Sequence, residues 1–147
     1  MGLGKTVQTL ALLLHRMDQG PGLVVAPTSV CGGWMTEAWR FAPTLTLHRF
    51  GVGNRDEMLA GLGPGDVVVT SYGLLQSESK RLTGIEWATL VLDEAQAIKN
   101  PDTKRHKAAK KLRAGFRLAL TGTPIENHLG ELWAQFSVLN PGMLGSA

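Results

Sequence analysis

Leu90-Val91-Leu92-Asp93-Glu94-Ala95-Gln96 carries an apolar run straight into an acidic pair. Apolar side chains at successive positions, instead of alternating ones, mark a strand covered on both faces, as in a parallel sheet wrapped by helices. Carboxylates at the carboxyl end of such a strand stand where open α/β sheets hold their ligands. Taken alone, an Asp-Glu pair equally well opens a solvated helix. The meaning of the pair therefore depends on the rest of the chain.

Working outward, similar short runs occur at Leu23 to Ala26, Leu45 to Phe50, Val67 to Thr70 and Arg117 to Leu120. Between them lie stretches of helical period. Val7, Leu10, Ala11 and Leu14 fall at i, i+3, i+4 and i+7, and Trp34, Ala38 and Phe41 repeat the pattern behind Thr28 and Ser29, either of which could cap a helix. Further helices are expected from about Arg55 to Leu62, Thr103 to Leu112 and Leu129 to Leu139, with turns at Gly63-Pro64-Gly65 and Asn140-Pro141-Gly142. Strands alternating with helices predict an α/β fold, a parallel sheet with helices on both faces.

The start of the chain supplies the partner for the acidic pair. Gly2, Leu3, Gly4, Lys5 and Thr6 read as the second half of a phosphate loop, GxxxxGK[ST]. Glycines let backbone amides converge on phosphate oxygens, the lysine neutralises the terminal phosphates, and the hydroxyl coordinates magnesium. A capped helix start would also fit these residues by themselves. Together with the distant acidic pair, they point to a phosphate ligand with Mg2+: Asp93, directly or through water, and Thr6 on the metal, Lys5 on the terminal phosphates, and Glu94 polarising the attacking water.

Composition bounds the rest. The 147 residues, 44% hydrophobic and 18% charged, suffice for one globular domain. A formal net charge of +3 mildly favours a polyanionic partner. Cys31 has no second cysteine to pair with, which favours a reducing setting, the cytoplasm or nucleoid. No apolar run approaches the roughly 18 residues of a membrane span. His15, His48, His106 and His128 lack ligand spacing, so no zinc site is expected. Trp34, Trp39, Trp87 and Trp133 are expected in the core or at interfaces. The basic stretch from Lys99 to Arg113, with Ala108, Leu112 and Phe116 as its apolar side, reads either as a solvated helix face or as a DNA contact.

MGLGKTVQTL, LVVAPTS, VVVTSYGLL, LVLDEAQAIKNP and LALTGTPIENHLGELW, in this order, resemble the Swi2/Snf2 helicase-like ATPases over nearly the whole chain. The DEAQAIKNP and TGTPIEN forms look like those of bacterial and archaeal members; chromatin remodellers usually carry His at the position of Gln96. The resemblance implies a RecA-like P-loop lobe with motif I at Gly2 to Thr6, motif II at Asp93 to Gln96, and motif III at Thr121, Gly122, Thr123 and Pro124, with Gln96 and motif III coupling the nucleotide site to the track. It implies further that Pro27, Thr28 and Ser29, and Thr70, Ser71 and Tyr72, touch the phosphate backbone of double-stranded DNA. Such contacts grip without reading bases.

The parent enzyme implied by this resemblance couples ATP hydrolysis to movement along duplex DNA and closes a second RecA-like lobe, with its arginine, around the nucleotide. The chain is expected to begin inside motif I, after the first strand, and to lack the second lobe, so that alone it turns over ATP negligibly. Two other readings stand beside this one: a different P-loop machine, against which the TSY and TGTP motifs argue, and an inactive fragment or a nucleotide- or DNA-binding module without turnover.

Overall fold

The computed structural model describes residues 3–121. Helix α1 (Leu3–His15) precedes β1 (Gly22–Ala26), followed by α2 (Thr28–Phe41), β2 (Thr46–Arg49), α3 (Arg55–Ala60) and β3 (Asp66–Ser71). Then come α4 (Tyr72–Ser77), α5 (Ser79–Thr83), β4 (Glu86–Leu92), α6 (Lys104–Lys111) and β5 (Arg113–Ala119). Among the described residues the strands form one five-stranded sheet, ordered β2-β3-β1-β4-β5, with every pairing parallel. This is the α/β architecture expected from the sequence.

Why these residues make that sheet is clearest at β1. Leu23, Val24, Val25 and Ala26 are all fully buried. Successive strand side chains point to opposite faces, so Leu23 and Val25 enter one apolar cluster and Val24 and Ala26 the other. The first cluster is closed by Leu75, Leu82 and Ala109 from α4, α5 and α6; the second by Leu10, Trp34 and Ala38 from α1 and α2. Burying one large aliphatic side chain is worth roughly 1.5–3 kcal/mol. A strand buried on both faces draws on that gain twice, which places β1 at the centre of the sheet.

Several expectations need correction. The third helix stops at Ala60 instead of Leu62, and the last strand begins at Arg113 instead of Arg117. Phe116 therefore lies on β5, not on the basic helix, and is stacked 5.2 Å beneath the guanidinium of Arg16. Phe41 is 41% exposed and Trp39 81% exposed, so neither is core, whereas Trp34 and Trp87 are almost fully buried. Helices α4 and α5 and the 3-10 turn at Ala95–Ile98 were not anticipated. Trp133, His128, the helix expected at Leu129 to Leu139 and the turn at Asn140 to Gly142 lie outside the described residues. Among the described residues no helix is long and apolar enough to cross a membrane.

Candidate nucleotide site

Asp93, Glu94 and Thr121 follow the carboxyl ends of β4 and β5, and Pro27 and Tyr72 follow those of β1 and β3. The backbone here is tightly tied: Asp93 N–H donates to Val25 O at 2.8 Å, Leu120 N–H to Leu92 O at 2.8 Å, and Ala95 N–H to Leu120 O at 2.8 Å. Motif II is thereby stitched to strands on both of its sides.

The acidic pair divides as its chemistry requires. Asp93 is fully buried. Its Oδ2 accepts the indole N–H of Trp34 at 2.9 Å, and its Oδ1 accepts the backbone N–H of Glu94 at 2.9 Å. Burial pushes the Asp93 carboxyl above its ordinary range, opposed by these two donors and by the positive charge of Lys5. Glu94 is half-buried. It adopts left-handed backbone angles, φ 52 and ψ 54, and among the described residues it alone does so without being glycine. Holding a non-glycine residue there costs on the order of 1–3 kcal/mol, and such strain gathers where geometry serves function.

Around the pair runs a chain of side-chain contacts. Gln96 Nε2 donates to Glu94 Oε2, and Thr121 Oγ1 donates to Gln96 Oε1 at 2.9 Å. The main-chain oxygen of Thr121 in turn accepts Lys5 Nζ at 2.6 Å. Representatives of motifs I, II and III, far apart in sequence, thus form one connected set. Lys5 is exposed in the first turn of α1 and Thr6 is nearly buried behind it, while Thr9 Oγ1 donates to Lys5 O at 2.7 Å. Gly2, Gly122, Thr123 and Pro124 lie outside the described residues, as do the side-chain surroundings of Leu3 and Gly4.

The residues expected at the nucleic acid divide into surface and interior. Thr28 and Ser29 are exposed on the first turn of α2 and Pro27 is half-buried. Pro27 is the cap residue and no side chain closes the cap, so neither hydroxyl has the capping role the sequence allowed. Ser71 caps α4, its Oγ accepting Leu74 N–H at 3.1 Å. Thr70 is fully buried and Tyr72 nearly so. The Tyr72 hydroxyl donates to the main-chain oxygen of Asp93 at 2.7 Å. Burial, with the Asp93 charge adding to it, holds that phenol well above its usual range, so it remains a donor.

Trp34, expected in the core or at an interface, is a core residue that also bonds Asp93, a contact its position in the sequence does not announce. The available signal was chemical: a buried tryptophan needs an acceptor for its N–H, and a carboxylate at a neighbouring strand end is one. The basic helix α6 presents Lys104, Arg105, Lys107 and Lys111 to solvent, with His106, Ala108 and Ala109 turned inward. A cavity of about 380 Å³ lined by Arg16, Glu86, Arg113 and Gly115 opens at the amino ends of β4 and β5, at the opposite end of the sheet from Asp93.

Comparison with known proteins bears on this geometry. A family model described as the SNF2-related domain matches residues 1–147. A Bacillus subtilis protein assigned as an ATP-dependent helicase/translocase, YwqA, is 45% identical over 153 residues, covering 99% of this chain and 17% of that protein. The Arabidopsis thaliana ISWI chromatin-remodeling complex ATPase CHR17 is 41% identical over 158 residues, covering 100% of this chain and 15% of its own length. The solved Sulfolobus solfataricus SWI2/SNF2 ATPase core in complex with dsDNA superposes with a TM-score of 0.87 at 44% identity, over 99% of this chain and 31% of that one. The chain thus spans about a sixth of the length of these two relatives, 17% and 15%.

Proposed function

Because the chain belongs to the SNF2-related domain family, we propose that it is the ATP-binding lobe of a DNA-dependent ATPase that couples hydrolysis to movement along duplex DNA. The observation that carries this reading is the connected set Lys5, Thr121, Gln96 and Glu94 lying beside the buried carboxylate of Asp93.

Each residue has a role that follows from its setting. Lys5, exposed on a mobile stem at the head of α1, neutralises the terminal phosphates. The Thr6 hydroxyl and the Asp93 carboxylate, both buried, are hard oxygen donors of the kind that would hold a magnesium ion between protein and phosphates. When bound, that ion neutralises charge developing on the phosphoryl oxygens. Glu94, less buried than Asp93 and held at left-handed backbone angles, orients and polarises the attacking water. Gln96 and Thr121, the latter beside Gly122, Thr123 and Pro124, relay between this site and the track.

The track is double-stranded DNA, gripped through its phosphates by the exposed segment Pro27, Thr28 and Ser29 and by the chain at Thr70, Ser71 and Tyr72. Thr70, Ser71 and Tyr72 are all buried, and the Ser71 hydroxyl is engaged in capping α4, so that second grip falls to backbone groups. A second RecA-like lobe of the parent protein supplies the arginine that completes the site, and the setting is the cytoplasm, with association to the nucleoid if the source is prokaryotic. The test is steady-state ATPase activity of the full-length protein with and without duplex DNA. Stimulation by duplex that disappears in Lys5→Ala supports the reading; turnover indifferent to DNA or to Lys5→Ala refutes it.

A further inference from the structure

Asp93 is held by two helices that begin where the proposed DNA contacts lie. Helix α2 leaves β1 through Pro27, Thr28 and Ser29, and further along it Trp34 donates its indole N–H to Asp93 Oδ2 at 2.9 Å. Helix α4 leaves β3 directly after Ser71, and its first residue, Tyr72, donates its hydroxyl to the main-chain oxygen of the same aspartate at 2.7 Å. Both side chains are buried, 2% and 3% exposed. Each sits in an apolar cluster; phenylalanine at position 72 keeps the ring and loses only the hydroxyl, whereas at position 34 it also leaves part of the indole's volume empty.

The two bonds fix different things. With Oδ2 on the indole and Oδ1 on the Glu94 amide, the carboxylate has one orientation. The phenol instead pins the main chain at Asp93, immediately before the strained Glu94. Interiors are close-packed, and an indole is rigid beyond its two torsions, so a shift of α2 must carry the carboxylate with it or break the bond. Resting on the reading of this lobe as a DNA-dependent ATPase, we propose that Trp34 and Tyr72 are the positioning residues through which duplex bound at the starts of α2 and α4 acts on Asp93 and, through it, on Glu94.

The test uses the full-length protein. Affinity for a fluorescent DNA duplex is measured by anisotropy without nucleotide and with a saturating non-hydrolysable ATP analogue and magnesium. The ratio of the two affinities is a coupling factor, expected at about 5- to 150-fold in the wild type, and linkage makes it equal to the effect of duplex on nucleotide affinity. In Trp34→Phe and in Tyr72→Phe that factor should fall toward one and DNA-stimulated kcat should drop roughly tenfold, the scale of one buried hydrogen bond. A purely structural role would lower thermal stability and leave the factor intact. If Trp34→Phe does not fold, Tyr72→Phe, which removes a single oxygen, decides the matter. A wild-type factor of one, or wild-type coupling preserved in the variants, overturns the proposal. A wild-type protein that neither binds duplex nor responds to it refutes the ATPase reading itself, a separate outcome.

Discussion

The side-chain oxygen of Gln96 accepts the hydroxyl of Thr121 at 2.9 Å, while the nitrogen of the same amide donates to Glu94. One amide therefore touches both the residue proposed to direct water and the first residue of motif III, and it does so with an acceptor at one end and a donor at the other. Replacing it tests that polarity. Neutral histidine also has one donor and one acceptor, so Gln96→His should retain most DNA-stimulated turnover. Gln96→Glu loses the donor and sets a second carboxylate against Glu94; kcat should fall by about tenfold or more, the scale of a bond to a charged group, with little change in nucleotide affinity. Similar turnover in the two variants would show that the contact is incidental.

Glu94 and Lys5 should separate chemistry from binding. Glu94→Gln keeps the shape of the side chain and removes its charge, so nucleotide affinity should persist while kcat falls by about 10²- to 10⁴-fold. Lys5→Ala takes away the ammonium that Thr121 O accepts at 2.6 Å, and with it the neutralising charge for phosphate; nucleotide affinity itself should drop. Binding titrations alongside single-turnover hydrolysis check both. Equal loss of affinity in the two variants would contradict the division of roles.

How much of this could be read from the residues alone depended on the distance over which each feature is encoded. The strand at Leu23 to Ala26 announces itself locally, because burial on both faces leaves no polar position to interrupt it. Asp93 could be placed at a strand's end for the same reason, and Lys5 at a helix start from its glycines. Trp34 could not be given its partner: 59 residues separate it from Asp93, and no periodicity records a contact made by the topology of the sheet. Helices α4 and α5 escaped notice because each spans too few residues to show an amphipathic period. Phe116 was misplaced because Ala108, Leu112 and Phe116 continue a helical spacing that the backbone abandons after Lys111.

His106 should make stability depend on pH in a defined direction. Its ring is buried, and Nδ1 lies 3.1 Å from Ile98 O, an acceptor, so Nδ1 carries the hydrogen. Burial lowers the imidazole pKa, the Ile98 bond opposes this, and the Lys110 charge adds to the lowering. A folded-state pKa below the unfolded one means the unfolded chain protonates first. The stability of the neutral, buried ring is therefore complete above the unfolded value of about 6.5 and is lost as pH falls from there toward the depressed folded value. Urea transitions of the full-length protein, followed by tryptophan fluorescence at about pH 8 and about pH 5.5, should show a drop on acidification that is smaller in His106→Gln. An unchanged drop in the variant would assign the effect to other groups.

The outer edge of β5 should govern how the 147-residue chain behaves when made by itself. Among the described residues β5 pairs only with β4, so the N–H and C=O groups along its other side face no strand. Its side chains are covered far less than those of β4: Trp87 to Leu92 are buried, whereas Arg113 to Ala119 are half-buried or exposed, with Phe116 39% exposed. An edge of this kind among the described residues, with partly exposed apolar side chains, is a template for pairing with another chain. Whole domains are held by only about 5–15 kcal/mol, so strand addition between copies at such an edge competes readily with the fold. Arg113 guards one end of the edge, where it is already engaged with Thr83 O, Gly84 O and Glu86. Light scattering of residues 1–147 alone should therefore rise with concentration, and its thermal transition by circular dichroism should be irreversible. Phe116→Lys, placing a charge mid-edge, should reduce the association, and the full-length protein should show neither behaviour. A sharp, reversible transition for a monomeric isolated chain, matching the full-length protein, would show that this edge is protected within residues 1–147 themselves.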